Sequence, residues 1–261
     1  LFSGTPCQVA GLKRFLRKEY DNLLMVDFVC HGVPSPGVWQ EYLKEETARQ
    51  CGGKKLILSH PISNGRDAHI ESISFRNKCL GWKKFSFTLT ISVSNGHGEK
   101  KIVLLSEPLN KNIFLRGFLA DLYLRPSCHA CPAKSLKSGS DITIGDFWGI
   151  QNVMPEIDDN KGVSVVMVST EKGKEIWGEI ATINYEVTFD DVVAANSALI
   201  RSVNLNRYRN MFYGNRMNTI EMRVASLTSI SFCQRCHRLL SVILLRLGLL
   251  DRLKDKLKKI S

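Results

Sequence analysis

An apolar strand-like opening, Leu1-Phe2, runs straight into the turn Gly4-Thr5-Pro6-Cys7. Val9, Leu12, Phe15 and Leu16 follow at helical spacing, with Lys13, Arg14, Arg17 and Lys18 on the other face, so the pattern predicts a helix over residues 7–20. Residues 23–30 (LLMVDFVC) are an apolar run of strand length that contains Asp27, bounded by Asp21-Asn22 and by His31-Gly32. Strand, turn, helix, strand is a βαβ unit. Its crossover makes the two strands parallel, and the loops that follow them leave the same sheet edge. Open α/β sheets bind ligands at that edge. A cysteine stands in each of the two loops, Cys7 in one and Cys30 in the other, so the two can be neighbours despite their separation in sequence.

The rest of the chain mixes unit types. Residues 70–75 and 85–93 alternate as half-buried strands, 94–98 (SNGHG) is a turn and 101–105 the return strand. Residues 112–122 predict a helix, 141–145 and 163–169 predict strands, and 170–180 predicts a helix. Parallel-type and hairpin-type units together predict an α+β fold: a mixed sheet with flanking helices and a cysteine-bearing loop region. Residues 1–228 are read as one domain, and 229–261 as a basic amphipathic C-terminal helix. The chain itself is read as the C-terminal part of a longer polypeptide, because it starts immediately before a functional-looking turn.

With 44% apolar and 23% charged residues, disorder, collagen and coiled coil are poor readings. Lys+Arg number 36 against 25 Asp+Glu, a net charge of 36 − 25 = +11, which suits an anionic partner. The basic residues are spread along the chain and no nucleic-acid motif accompanies them, so nucleic acid is not expected. Nothing resembles a signal peptide, and the expected location is the cytoplasm. The most apolar stretch, residues 239–250, is interrupted by Arg246 and is shorter than the roughly 20 residues of a spanning helix. It reads either as a terminal helix packed on its own domain or as one that contacts a membrane surface or a partner.

Eight cysteines in 261 residues are too few for a disulfide scaffold. Cys7 falls in the first turn of its helix, where the positive helix end favours the thiolate, the form that binds metal. Cys128 and Cys131 form a C-x-x-C loop followed by Pro132, a spacing that lets two sulfurs grip one metal centre. Cys7, Cys30, Cys128 and Cys131 therefore make four thiolates, the number a cubane cluster needs; zinc or redox use of the C-x-x-C, with Cys30 a small buried residue, is the alternative. Cys51 and Cys79 read as structural. Cys233 and Cys236 form a second C-x-x-C without further cysteines nearby and read as chance, with zinc or a disulfide as alternatives.

Six motifs, in order, resemble the C-terminal domain of the coenzyme F-420 hydrogenase/dehydrogenase beta subunits. They are Gly4-Thr5-Pro6-Cys7-Gln8; Asp27 to Ser35 (DFVCHGVPS); Phe75-Arg76-Asn77-Lys78 with Gly81-Trp82; Leu124-Arg125-Pro126-Ser127-Cys128 with Cys131; Ser140 to Gly149 (SDITIGDFWG); and Lys161-Gly162-Val163-Ser164. The resemblance implies an iron–sulfur flavoprotein that carries FAD and a 4Fe–4S cluster and passes electrons to a coenzyme F-420-like or other organic acceptor. It implies that Cys7, Cys30, Cys128 and Cys131 are the cluster ligands. Similar proteins occur beside polysaccharide-synthesis functions. Members usually carry upstream sequence, often ferredoxin-like, which the chain lacks.

A flavin needs donors for its diphosphate and ring edge, and a flat apolar wall. Thr5, Gln8 and Ser35 supply donors near the two turns. Arg76 and Lys78, two apart on a strand, face one side and can clamp an anionic group. Trp82 and Trp148 are candidate walls and Asp146 a ribityl partner. His31, beside a proposed ligand, titrates near neutral pH and is the candidate proton relay. The expected partners are a ferredoxin-like electron donor or an upstream ferredoxin domain, and an anionic small-molecule substrate or coenzyme. The competing readings are a non-enzymatic zinc or metal-binding module and a degenerate family member acting as a partner protein.

Overall fold

The computed structural model describes residues 1–52, 68–94, 100–215 and 218–228. The expected turn at 94–98, the C-terminal amphipathic segment, and Cys233 with Cys236 lie largely or wholly outside the described residues. The opening unit forms as its sequence dictates: β1 (Phe2–Gly4), α1 (Pro6–Leu16) and β2 (Met25–Phe28). Pro6 sits in the first turn of α1, where its missing N–H costs no bond, and Gln8 Oε1 accepts from the Thr5 backbone N–H (2.9 Å). The helix ends four residues before the expected Tyr20, because Arg17 turns into the left-handed region (φ 58°) and its N–H bonds Lys13 O (3.1 Å).

Next come α2 (Pro36–Gln50), β3 (Ala68–Asn77), β4 (Ser86–Ser94), β5 (Lys100–Pro108) and α3 (Ile113–Leu119). The chain continues through β6 (Ile142–Asp146), α4 (Ile150–Val153), β7 (Ser164–Val168), α5 (Glu171–Glu179), α6 (Phe189–Ala195), α7 (Arg209–Gly214) and α8 (Ile220–Thr228). These elements make an α+β fold with two sheets. The first has the order β1-β2-β6-β7; β1, β2 and β6 are parallel and β7 runs against β6. The second is an antiparallel meander, β3-β4-β5.

Each sheet carries its own apolar cluster. Phe87, Leu89, Ile91 and Val93 alternate along β4 and pack on Tyr42 and Leu43 of α2, Phe114 of α3 and Val224 of α8. Buried Asn112 ties this layer together: its amide N–H donates to Tyr42 Oη (2.9 Å) and its Oδ1 accepts from Leu115 N at the start of α3 (3.0 Å). Burial holds both Tyr42 and Tyr123 protonated well above the ordinary phenol range. The second cluster, Trp82, Phe147, Ile150, Val165, Val192 and Leu199, lies around the first sheet. No helix among the described residues is long and apolar enough to cross a membrane.

Candidate functional site

The parallel strands deliver three chain exits to one edge. Gly4 pairs with Asp27, Asp27 with Thr143, and Phe28 with Ile144. The turn holding Cys7, the residues after Phe28 and Asp146 at the end of β6 therefore leave the sheet side by side. Val29 N–H donates to Ile144 O (2.8 Å), which sets Cys30 next to the end of β6.

The loop 31–35 then meets the C-x-x-C loop. Arg125 N–H donates to Val33 O (2.8 Å), Ser35 N–H to Tyr123 O (2.8 Å), and Pro34 bridges Leu124. Gly32 is pressed against this loop: a Cβ there would stand 2.9 Å from Leu124 Cδ1 and 3.5 Å from Cys128 Cβ. The segments carrying the four cysteines named from sequence therefore meet around this edge. Burial pushes the Cys30 thiol above its ordinary value; the Lys134 ammonium opposes that shift, and the thiols of Cys128, Cys7 and Cys131 add to it. Cys7 is exposed and the other three are half-buried. Cys128 Sγ has a donor in Val33 N–H (3.4 Å), and Cys7 Sγ lies 3.2 Å from Thr5 Oγ1, whose own hydrogen goes to Gln8 Oε1 (3.0 Å).

Sequence reasoning missed several supports. Lys134 Nζ donates to Cys30 O and to Ala198 O (2.5 Å for the second), tying the exit of β2 to the turn 197–199. Cys131 N–H donates to Ser202 Oγ (3.0 Å). Lys134 had a visible signal, a lone cation three residues after the C-x-x-C among small residues; Ser202 had none. Asp27, 2% exposed, leaves Oδ1 without a hydrogen-bond partner among the described residues, and it lines a void of about 10 Å³ with Cys30, Lys134 and Thr143. That volume is at the lower limit for one water.

The other expected residues fall into two groups. Thr5 and Gln8 bond each other at the α1 cap, and Ser35 caps α2. His31 Nε2 lies 2.7 Å from Asp121 Oδ1, with the imidazole edge-on to Phe118. In the second group Arg76 is ion-paired with Asp146 and its guanidinium lies over Phe85 and Trp148 (4.7 and 5.5 Å). Trp82 and Trp148 stack at 4.7 Å, and Trp82 is only 1% exposed, so Trp148 presents the accessible ring of the pair. Lys78 turns away from Arg76 and donates to Lys161 O (3.0 Å). β6 joins the groups, since Asp146 ends the strand whose Ile144 accepts from Val29. Beyond β7 opens a cleft of about 820 Å³, lined by Phe147, Ile150, Val165, Trp177, Tyr185 and Glu186 among others.

Among the described residues, no three His, Cys, Asp or Glu side chains close around a point that one metal ion could occupy. The frame is thus an α+β protein whose parallel strands bring Cys7 and Cys30 to one sheet edge, where the loop 31–35 meets the C-x-x-C loop. The chain belongs to the family described as the C terminus of the coenzyme F420 hydrogenase/dehydrogenase beta subunit, whose model matches residues 1–192. That family is one of redox-enzyme subunits. No curated protein and no solved structure was found to match the chain.

Proposed function

We propose that this chain is an iron–sulfur flavoprotein oxidoreductase, with Cys7, Cys30, Cys128 and Cys131 as ligands of one 4Fe–4S cluster and FAD beside it at the same sheet edge. The observation that carries the reading is the meeting of three cysteine-bearing segments at one sheet edge: the turn holding Cys7, the loop holding Cys30, and the C-x-x-C loop whose Cys128 Sγ takes the Val33 N–H at 3.4 Å. A cubane takes its thiolates at four separate corners, so it suits ligands that converge without touching, whereas tetrahedral zinc needs all four sulfurs about 2.3 Å from one point. When bound, the cluster and flavin supply one-electron relay and two-electron chemistry respectively, which the protein positions.

The chain's own residues divide the remaining work. The Val33 N–H stabilises sulfur charge at Cys128. The Lys134 ammonium offsets the negative charge gathered at Cys30. Asp121 orients the His31 ring, giving a proton-holding pair one residue from the cluster ligand. Trp148, backed by Trp82, offers an aromatic face, and Arg76, held by Asp146, offers a cation for an anionic group. Ser35, Thr5 and Gln8 remain the donors at the two helix starts. Lys78 belongs to the Gly162 turn and contributes charge at its margin. The acceptor is a coenzyme F-420-like or other organic molecule, the donor is ferredoxin-like, and the cytoplasm suits oxygen-sensitive cluster chemistry.

Anaerobic purification with iron, sulfide and flavin quantitation tests the reading. About four iron and about four sulfide per chain, with bound FAD and broad visible absorption, are expected. A colourless protein, or one carrying zinc alone, overturns it.

A further inference from the structure

The C-x-x-C loop and residues 198–207 form one continuous surface. Ser135 N–H donates to Leu199 O (2.9 Å), Cys131 N–H to Ser202 Oγ (3.0 Å), and His129 Nδ1 lies 3.1 Å from Val203 O. The two segments that make it carry almost no anions. The sequence has no Asp or Glu between Asp191 and Glu221, and between Glu107 and Asp141 its only one is Asp121, which faces His31.

It is rich in exposed arginines, of which Arg207 lies over the Tyr208 ring at 4.6 Å. Arg125 precedes Cys128 by three residues, Arg201 adjoins the Ser202 that holds Cys131, and Arg207 follows on the same segment. All three are exposed, and none has an ion pair among the described residues. Leu205 stands between them, 65% exposed. Like charges left unpaired on one face repel one another and destabilise the fold slightly, unless a partner neutralises them.

We propose that this arginine-rimmed face is the docking site of an acidic electron-carrier protein that reaches the four-thiol site from its exposed side. The proposal rests on the cluster reading above. None of these arginines lines the large cleft, which lies elsewhere, beyond β7. A small anion would leave Leu205 and the separated guanidiniums unused, whereas an acidic protein surface engages all of them. Arginine forks grip carboxylates bidentately, and redox encounters are small and steered by charge. The carrier is oxidised by one electron and the iron–sulfur centre reduced by one; no bond forms or breaks and no proton moves.

The test uses the full chain, iron-loaded anaerobically, with a reduced acidic plant-type ferredoxin as probe and the cationic methyl viologen radical as control. Stopped-flow reduction is followed for wild type, for the triple variant R125E/R201E/R207E and for the milder R125Q/R201Q/R207Q, each checked for wild-type iron content. Charge reversal is expected to slow reduction by ferredoxin on the order of tenfold at low salt, to flatten its salt dependence, and to leave viologen reduction as fast or faster. The Gln variant is expected to fall between. Iron-loaded variants reduced by ferredoxin at the wild-type rate overturn the docking site alone. Single-stranded DNA binding wild type as tightly as the ferredoxin also overturns it, by marking a general polyanion surface. Wild type lacking iron and sulfide sinks the cluster reading and the docking site with it.

Discussion

Gly32 shows how little room the site leaves. Its missing side chain lets Val33 N–H reach Cys128 Sγ, and an added Cβ must displace Leu124, which is fully buried. G32A is therefore expected to lower stability by about 1–3 kcal/mol and to lower iron per chain, with urea unfolding and iron assay as the measurements. Unchanged iron content would mean the two loops tolerate separation. At this scale the four cysteines drew notice by residue type and spacing, and the segments that carry them do meet at one sheet edge. The groups that hold them were not legible. Ser202 lies 71 residues from Cys131 and acts through one hydroxyl, and Lys134 works through backbone carbonyls that any sequence possesses. Arg76 and Asp146 were each named, but not as partners, since a strand residue does not declare which other sheet it will meet.

Among the elements, α2 carried a weak signal and sequence reading passed over it. Its apolar stripe, Val38, Tyr42 and Leu43, is interrupted by Glu46 and Thr47, which are buried too. Glu46 is satisfied from within, by Arg49 and Gln50, so a polar pair occupies the place where periodicity expects a hydrophobe. The β strands and α5 were clearer, because Thr170 caps the helix through Gly173 N–H (3.1 Å) and alternation marks the sheet. α2 also anchors α8. Glu45 accepts from Ile220 N–H (2.9 Å), while Glu41 pairs with the buried Arg223. Burial raises the Glu45 carboxyl above its ordinary value, with Glu41 adding to the shift. Folding then favours the protonated form. The contribution is full below the ordinary glutamate value and is lost as pH rises through the raised folded value. E45Q keeps an acceptor for Ile220 but cannot titrate. Its urea midpoint is expected to vary less with pH across that window; a profile as steep as wild type would place the dependence elsewhere.

Taken whole, the molecule keeps its two apolar clusters apart and sets the thiols at the edge of the sheet that serves the smaller one. Trp82 is the largest side chain in that cluster and the support for Trp148. W82A is expected to cost about 3–5 kcal/mol and, if Trp148 faces a flavin, to weaken FAD retention more than iron retention. Equal loss of both would point to general unfolding of that half. The fold class was readable from the mixture of crossover and hairpin units. The way the second sheet's strand β3 comes to lie against β6, through Arg76 and Asp146, depends on packing that no local pattern encodes.

The segment that closes over the C-x-x-C loop begins at residue 198, after the stretch shared with the family ends at 192. Two of the three rim arginines, Arg201 and Arg207, thus lie outside that stretch, while Arg125 and the four cysteines lie within it. On the proposed reading, drift in the outlying arginines would exchange one redox companion for another while the four cysteines stay untouched, a division that would let a single scaffold be rewired between pathways.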